Sequence, residues 1–159
     1  MSRRRRNILI IVGLVLAVFA AGALWFYEAV CVPNGKMRDI QWLENASPQE
    51  RLEVAHQVLS FPVGMHHDAF MLVRDYGDVK SIPYLLKGLR WQPHTDPGYP
   101  AMVCTKINCL DALKRITGHD AGLNYEDWAQ WWETQGRNLP PEAFPLKPVR
   151  SRVPEPDQN

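Results

Sequence analysis

Two adjacent histidines, His66 and His67, are the residues of this chain best suited to chemistry. Imidazole nitrogens bind zinc, and the chain offers further donors in Asp68, His94, Asp96, His119 and Asp120. Zinc sites combine two pairs of ligands at short, recognisable spacings, whereas these donors follow no set interval. We therefore expect His66 and His67 to begin a helix or to face solvent. A small metal-dependent enzyme or accessory factor that uses them with the adjacent loop is the alternative.

A second candidate is a disulfide between Cys104 and Cys109. Within one continuous helix, residues five apart point about 140° away from each other and cannot be bridged. If the helix begins near Thr105, Cys104 lies outside it and the chain could fold back to Cys109. Both a disulfide and two separately buried thiols therefore remain open, and Cys31 is the odd thiol.

Patterns for other chemistries are absent from the sequence. There is no G-x-S-x-G motif and no glycine-rich phosphate loop. The carboxylates of Glu126 and Asp127 stand at a predicted helix N-terminus, where the helix dipole favours negative charge. We expect no catalytic residues, no metal and no cofactor.

A proline-rich loop, residues 92–102, places aromatic side chains where they could contact a partner. Trp91 and Tyr99 are the candidates, because exposed aromatic residues are enriched at interface hot spots. Alternatively, the loop folds over the core and Trp91 covers the helix before it.

Residues 7–27 form an apolar run that predicts a membrane-spanning helix, and this helix would position the residues above relative to a membrane. About 20 helical residues span the roughly 30 Å of bilayer hydrocarbon, and Trp25 and Tyr27 stand where an aromatic belt would lie. Basic residues 3–6 precede this run, so the positive-inside rule predicts a cytoplasmic N-terminus and an exported C-terminal body. A cleaved signal peptide and a lipidated Cys31 are the alternatives.

The rest of the chain predicts a short linker at residues 28–36, a helical domain at 37–136 and a proline-rich disordered tail at 137–159. Ser47 and Glu50 form a capping box at the first helix of the body, and no segment alternates as a strand does, so the fold class is all-α. Apolar residues at helical spacing mark the predicted helices: Leu52, Ala55, Val58, Leu59 and Phe61; Phe70 and Val73; Ile82, Leu85, Leu86 and Leu89; Ile107, Leu110, Leu113 and Ile116; Trp128, Trp131 and Trp132.

The charge distribution gives no reason to expect nucleic-acid binding. Without the four arginines at residues 3–6, the chain has 14 basic and 17 acidic residues. A mildly acidic body does not attract phosphates.

The stretch "LVRDYGDVKSIPYLLKGLR", followed later by "CLDALKRITG", resembles HEAT-like helical repeats of the bacterial type. The match covers residues 70–118 and implies a fragment of an α-solenoid with a binding or scaffold role. Free-standing arrays need about three repeats and polar caps, so the helices that begin at Ser47 and Asn124 are the expected caps.

The sequence thus predicts a single-pass, membrane-anchored HEAT-like α-hairpin stack on the outer side of a bacterial inner membrane, in the periplasm or outside the cell. Its expected role is to bind an unidentified protein partner as an interaction or scaffold module. A body that only completes a larger membrane complex is a variant of this expectation.

Overall fold

The structure is a computed structural model that describes residues 3–96 and 103–144. This described part is built from helices and contains no β-strand, so the all-α prediction is confirmed. The helices are α1 (Arg3–Phe26), α2 (Val32–Arg38), α3 (Ile40–Asn45), α4 (Pro48–Leu59), α5 (His66–Tyr76), α6 (Ile82–Arg90), α7 (Cys104–Thr117) and α8 (Tyr125–Thr134), with a π-helical turn at Tyr27–Cys31 and short 3-10 turns at Val79–Ser81, Gly136–Asn138 and Pro141–Ala143.

The N-terminal apolar helix stands away from the body. Among the described residues, one helical stretch, Asn7–Arg38, is long and apolar enough to cross a membrane, and its apolar window has no residue buried in the protein. Large side chains such as Leu14 and Phe19 are exposed along α1. An apolar helix left uncovered by its own chain is typical of a segment that contacts lipid or another protein.

The predicted linker at residues 28–36 is helical, so that prediction is wrong. The chain passes from α1 through the π-helical turn into α2, in which Pro33 occupies the first turn. Proline is tolerated there because its missing N–H falls where the hydrogen-bond ladder is already interrupted. We call the π-helical turn and α2 together, residues 27–38, the helical joint. Its residues Val30, Pro33 and Met37 are buried, which docks the helical joint on the body.

Polar contacts of Asn34 complete the joint. Its Oδ1 accepts a hydrogen bond from Met65 N–H at 2.8 Å, and its Nδ2 donates to the Val30 carbonyl at 2.8 Å. Gly64, next to Met65, adopts φ 142°, and a Cβ there would come within 2.6 Å of Asn34 Oδ1. A larger residue at position 64 would therefore be strained and would also displace the amide.

Helix α4 begins as its sequence predicts. Glu50 N–H donates to Ser47 Oγ at 3.3 Å, and Ser47 N–H donates to Glu50 Oε2 at 2.8 Å, which forms the capping box. The predicted apolar face is buried at Leu52, Ala55, Val58 and Leu59.

Helix α5 lies in the middle of the body. It packs mainly against α4 and α7, and much less against the next helix in sequence, α6. Helix α6 also contacts α4, α7 and α8. The core residues from the central helices are Ala69, Phe70, Val73, Ile82, Leu85, Leu86, Leu89, Leu110, Leu113 and Ile116.

The C-terminal region closes the body. Trp128 is fully buried and Trp131 nearly so, and α8 packs against α6. The tail predicted to be disordered from residue 137 remains ordered to Phe144, whose ring is buried in the core. A single large aromatic side chain is enough to hold the segment because it removes much apolar surface from water. The rest of that predicted tail lies outside the described residues.

Two helical glycines allow a matched test of this packing. A Cβ at Gly88 would come within 2.7 Å of the buried ring of Phe70, whereas a Cβ at Gly35 meets nothing within 4 Å. We expect Gly88→Ala to lower the free energy of unfolding by about 1–3 kcal/mol through overpacking. Gly35→Ala should raise it by up to about 1 kcal/mol through helix propensity. Thermal unfolding of the full chain in detergent, followed by tryptophan fluorescence, measures both; equal effects would contradict the described core.

Candidate functional site

The predicted histidine pair is divided between two environments. His66 is buried at the start of α5, and its Nε2–H donates to the Phe61 carbonyl at 2.8 Å. Its other ring nitrogen faces Gln92 Nε2 at 3.5 Å. His67 is partly exposed and lies beside Asp68 at 3.4 Å. The described residues contain no group of three or more metal-donor side chains, so the structure does not assemble the alternative metal site around this pair.

The disulfide predicted between Cys104 and Cys109 is not formed, because both residues lie in one helix, α7. Cys104 is exposed at its first position. Cys109 is buried, and its Sγ–H donates to the Leu85 carbonyl at 3.5 Å. Burial raises the pKa of the Cys109 thiol well above its ordinary value, which keeps it protonated and unreactive.

Trp91 follows the last residue of α6 and remains 44% exposed, so it does not cover that helix. The guanidinium of Arg90 lies 5.7 Å from the centroid of its ring. Tyr99, the other predicted partner contact, lies outside the described residues.

A buried polar cluster around Lys106 holds the beginning of the long loop, and sequence reasoning missed it. Lys106 is 1% exposed, and its ammonium donates to Pro93 O at 2.7 Å, Thr95 Oγ1 at 2.6 Å and Asn124 Oδ1 at 2.9 Å. These three acceptors match the three N–H donors of a lysine ammonium. The beginning of the loop, at Pro93 and Thr95, is therefore held against the N-terminal ends of both α7 and α8.

Two opposing effects act on the charge of Lys106. Burial lowers its pKa from the ordinary value, while the carboxylate of Glu126 acts in the opposite direction. The three hydrogen bonds that the ammonium donates also favour its charged form.

The sequence signal for this cluster is the position of Lys106 on α7. Lys106 stands one helical turn before Cys109 and Leu110, on the buried face, whereas Ile107, which we expected there, is 38% exposed. Asn124 begins α8 as predicted, but its side chain makes no cap hydrogen bond. It pairs with Thr95 instead: Thr95 N–H donates to its Oδ1 at 2.7 Å, and its Nδ2 donates to Thr95 O at 2.8 Å.

A histidine that sequence reasoning passed over, His56, lies beside a buried serine. Ser81 Oγ accepts from Asp78 N–H at 3.2 Å and lies 2.9 Å from His56 Nε2, so the hydroxyl proton is directed at the ring. Tyr84 stacks on the same ring with centroids 4.1 Å apart. Burial lowers the pKa of His56, which agrees with a neutral ring that accepts from the hydroxyl. Ser81 is completely buried, so this pair serves the fold and its hydroxyl does not face a substrate.

Two open grooves lie beside the helical joint, and each has a larger volume than a third groove there, which is about 340 Å³. The first, which we call the interfacial groove, has a volume of about 560 Å³ and lies between the end of the apolar helix and helices α4 and α6. Its walls are Trp25, Glu28, Ala29, Glu53, His56, Gln57, Ser60, Phe61 and Tyr84.

The second, which we call the methionine groove, has a volume of about 440 Å³ and lies between α2, α3 and α5. Its walls are Met37, Arg38, Leu43, Met65, Asp68, Met71, Leu72 and Asp75. The floor is apolar, and two carboxylates and one guanidinium stand among the lining residues. Such a surface binds an apolar side chain with a charged group beside it.

Comparison of the chain with models of protein families, with curated proteins and with solved structures finds no significant match.

The Lys106 cluster gives a stability prediction with a control on the same helix. Lys106→Met removes the donor and leaves buried acceptors unpaired, so we expect a loss of about 2–4 kcal/mol in the free energy of unfolding. The control variant is Lys114→Met. The ammonium of Lys114 pairs with Asp120 at 2.7 Å on the surface, and such pairs contribute about 1 kcal/mol or less. Denaturant titration of the full chain in detergent compares the two variants. Similar losses for both would show that the cluster does not hold the loop.

Proposed function

We propose that this protein is a membrane-anchored helical module that binds a short segment of a partner polypeptide and carries out no chemistry of its own. The main observation in support of this proposal is the methionine groove, an apolar depression with charged residues at its rim. The resemblance of residues 70–118 to HEAT-like repeats supports the same role, since such stacks present helix faces to partners.

The side chains of the methionine groove suit an adaptable peptide contact. Met65 and Met71 contribute flexible thioether side chains, which can adjust to different apolar partners, and the buried Met37 supports the floor beneath them. Met65 Sδ also accepts a hydrogen bond from Arg38 Nε at 3.3 Å, which holds one edge of the groove. The floor would bury one or two apolar side chains of the partner.

Two carboxylates and one guanidinium line the groove, so its lining is net negative. Asp75 already pairs with Arg74 at 3.1 Å, which makes Asp68 the carboxylate that favours a basic occupant. Asp68 and Asp75 both belong to α5 and are seven residues apart, so they lie on the same face of the helix, two turns from each other. Their side chains are 44% and 39% exposed. An amphipathic helix with a lysine or arginine beside its apolar stripe would satisfy both the floor and the rim. We therefore infer a partner helix of this kind.

The joint determines where a partner would be held. Met37 and Arg38 belong to α2, which continues from the apolar helix without a flexible connection. If that helix spans the membrane, a partner bound in the groove stays at a short, nearly fixed distance from the bilayer surface. This geometry is what a membrane-anchored scaffold requires.

The direct test is site-specific photo-crosslinking in membranes that contain the full chain. A photoreactive amino acid at Met71 should give a discrete adduct, whereas the same group at Asp111, an exposed position on α7 outside the groove, should not. Asp68→Lys should reduce the Met71 adduct about tenfold, since a tenfold change corresponds to about 1.4 kcal/mol. Adducts of equal yield from both positions, or an adduct insensitive to the charge reversal, would contradict the proposal.

We further propose that the apolar helix spans a bacterial inner membrane with its N-terminus in the cytoplasm. The arginine-rich residues 3–6 support this orientation through the positive-inside rule, and the body would then face the periplasm or the cell exterior.

Thiol labelling tests the orientation, because Cys104 is exposed and Cys109 is buried. In a Cys31→Ser variant expressed in bacteria, a membrane-impermeant maleimide should label Cys104 in intact spheroplasts. A control chain with Ser2→Cys and with Cys31 and Cys104 replaced by serine should react only after lysis. The opposite pattern would show that the body is cytoplasmic.

A further inference from the structure

The interfacial groove lies at a depth that the apolar helix defines. On the proposed membrane anchoring, on which this inference rests, the span beginning at residue 7 brings Trp25 to the boundary between hydrocarbon and headgroups. Glu28 stands three residues further along the helix, about 4.5 Å along its axis. The headgroup layer is about 5–8 Å thick on each side, so Glu28 lies within it.

The opposite wall of the groove reaches the same depth. The ring of Phe61 meets the ring of Trp25 edge to face, with centroids 5.9 Å apart and an interplanar angle of 67°. The end of α4 is thereby held beside the bilayer boundary. Trp25 and Phe61 therefore form an apolar part of the groove wall at the depth where acyl chains begin.

The other end of the groove is polar and acidic. Glu28 and Glu53 contribute carboxylates, and neither lysine nor arginine is among the residues that line the groove in the described part of the chain. One oxygen of Glu53 accepts from Gln49 Nε2 at 2.9 Å, which orients the group. His56 adds no positive charge, because its ring is neutral and accepts from Ser81.

Aromatic rings complete the polar end. Tyr84 is held in place by its stacking on His56, and the ammonium of Lys87, from outside the lining, lies 5.6 Å from the centroid of its ring. Ammonium groups are attracted both to such rings and to carboxylates. The Tyr84 ring already carries the ammonium of Lys87, so the charge complementary to a bound cation comes from the carboxylates of Glu28 and Glu53.

We propose that the interfacial groove binds one phospholipid whose headgroup carries a primary ammonium. The ammonium lies between Glu28 and Glu53, and the start of the acyl chains lies against Trp25 and Phe61. The volume of about 560 Å³ is within the usual range for small-molecule sites and admits a headgroup. The interfacial groove and the methionine groove share no lining residue, so a lipid and a polypeptide partner would contact different side chains.

The test uses the full chain in nanodiscs that contain equal amounts of phosphatidylethanolamine and phosphatidylglycerol. Native mass spectrometry after release counts the lipids that remain bound. We expect one retained phosphatidylethanolamine, at least tenfold preferred over the anionic lipid. Glu28→Gln together with Glu53→Gln should reduce the preference to about twofold or less. The matched control, Glu44→Gln with Glu133→Gln, changes two exposed glutamates outside the groove and should keep it.

The outcomes separate this inference from the proposed anchoring. Release of the full chain from membranes by alkaline carbonate would contradict the anchoring and the lipid site together. A chain that stays in the membrane but retains both lipids equally, retains none, or keeps its preference in the Glu28 and Glu53 double variant would overturn the lipid site alone.

Discussion

The docking of the helical joint is the constraint on which the rest of the structure depends. Val30 and Met37 are buried against the body, and Asn34 bonds to Met65 at the start of α5. A chain leaving a long apolar helix would otherwise be free to swing about a connection containing Pro33. Because the joint is helical and buried, the body has a defined position at the end of that helix.

Both grooves are consequences of this constraint. The interfacial groove has one wall from residues around Glu28, and the methionine groove has one wall from Met37 and Arg38. Neither would exist if residues 28–36 were a flexible linker. The candidate functional surfaces are thus formed between the joint and the body, not on the repeat-like helices alone.

The beginning of the long loop after α6 has a structural anchor that its composition does not reveal. Its beginning is fixed by Lys106, which donates to Pro93 and Thr95 from the base of α7. Burying an amine is unfavourable unless its donors are all satisfied, so this cluster holds one loop geometry and excludes others. Trp91 stays exposed at the edge of this fixed region and remains a candidate contact.

The sequence by itself determined the features that depend on near neighbours in the chain. Ser47 and Glu50 specify a helix start because both partners of the capping box lie within one turn. The all-α class, the positions of the main helices and the apolar span follow from periodicity and length. Only the tertiary structure decided that Pro33 would lie in a docked helix, and that Lys106 and Asn124 would meet in the core. These outcomes depend on surfaces and acceptors supplied from distant parts of the chain, which local pattern does not contain.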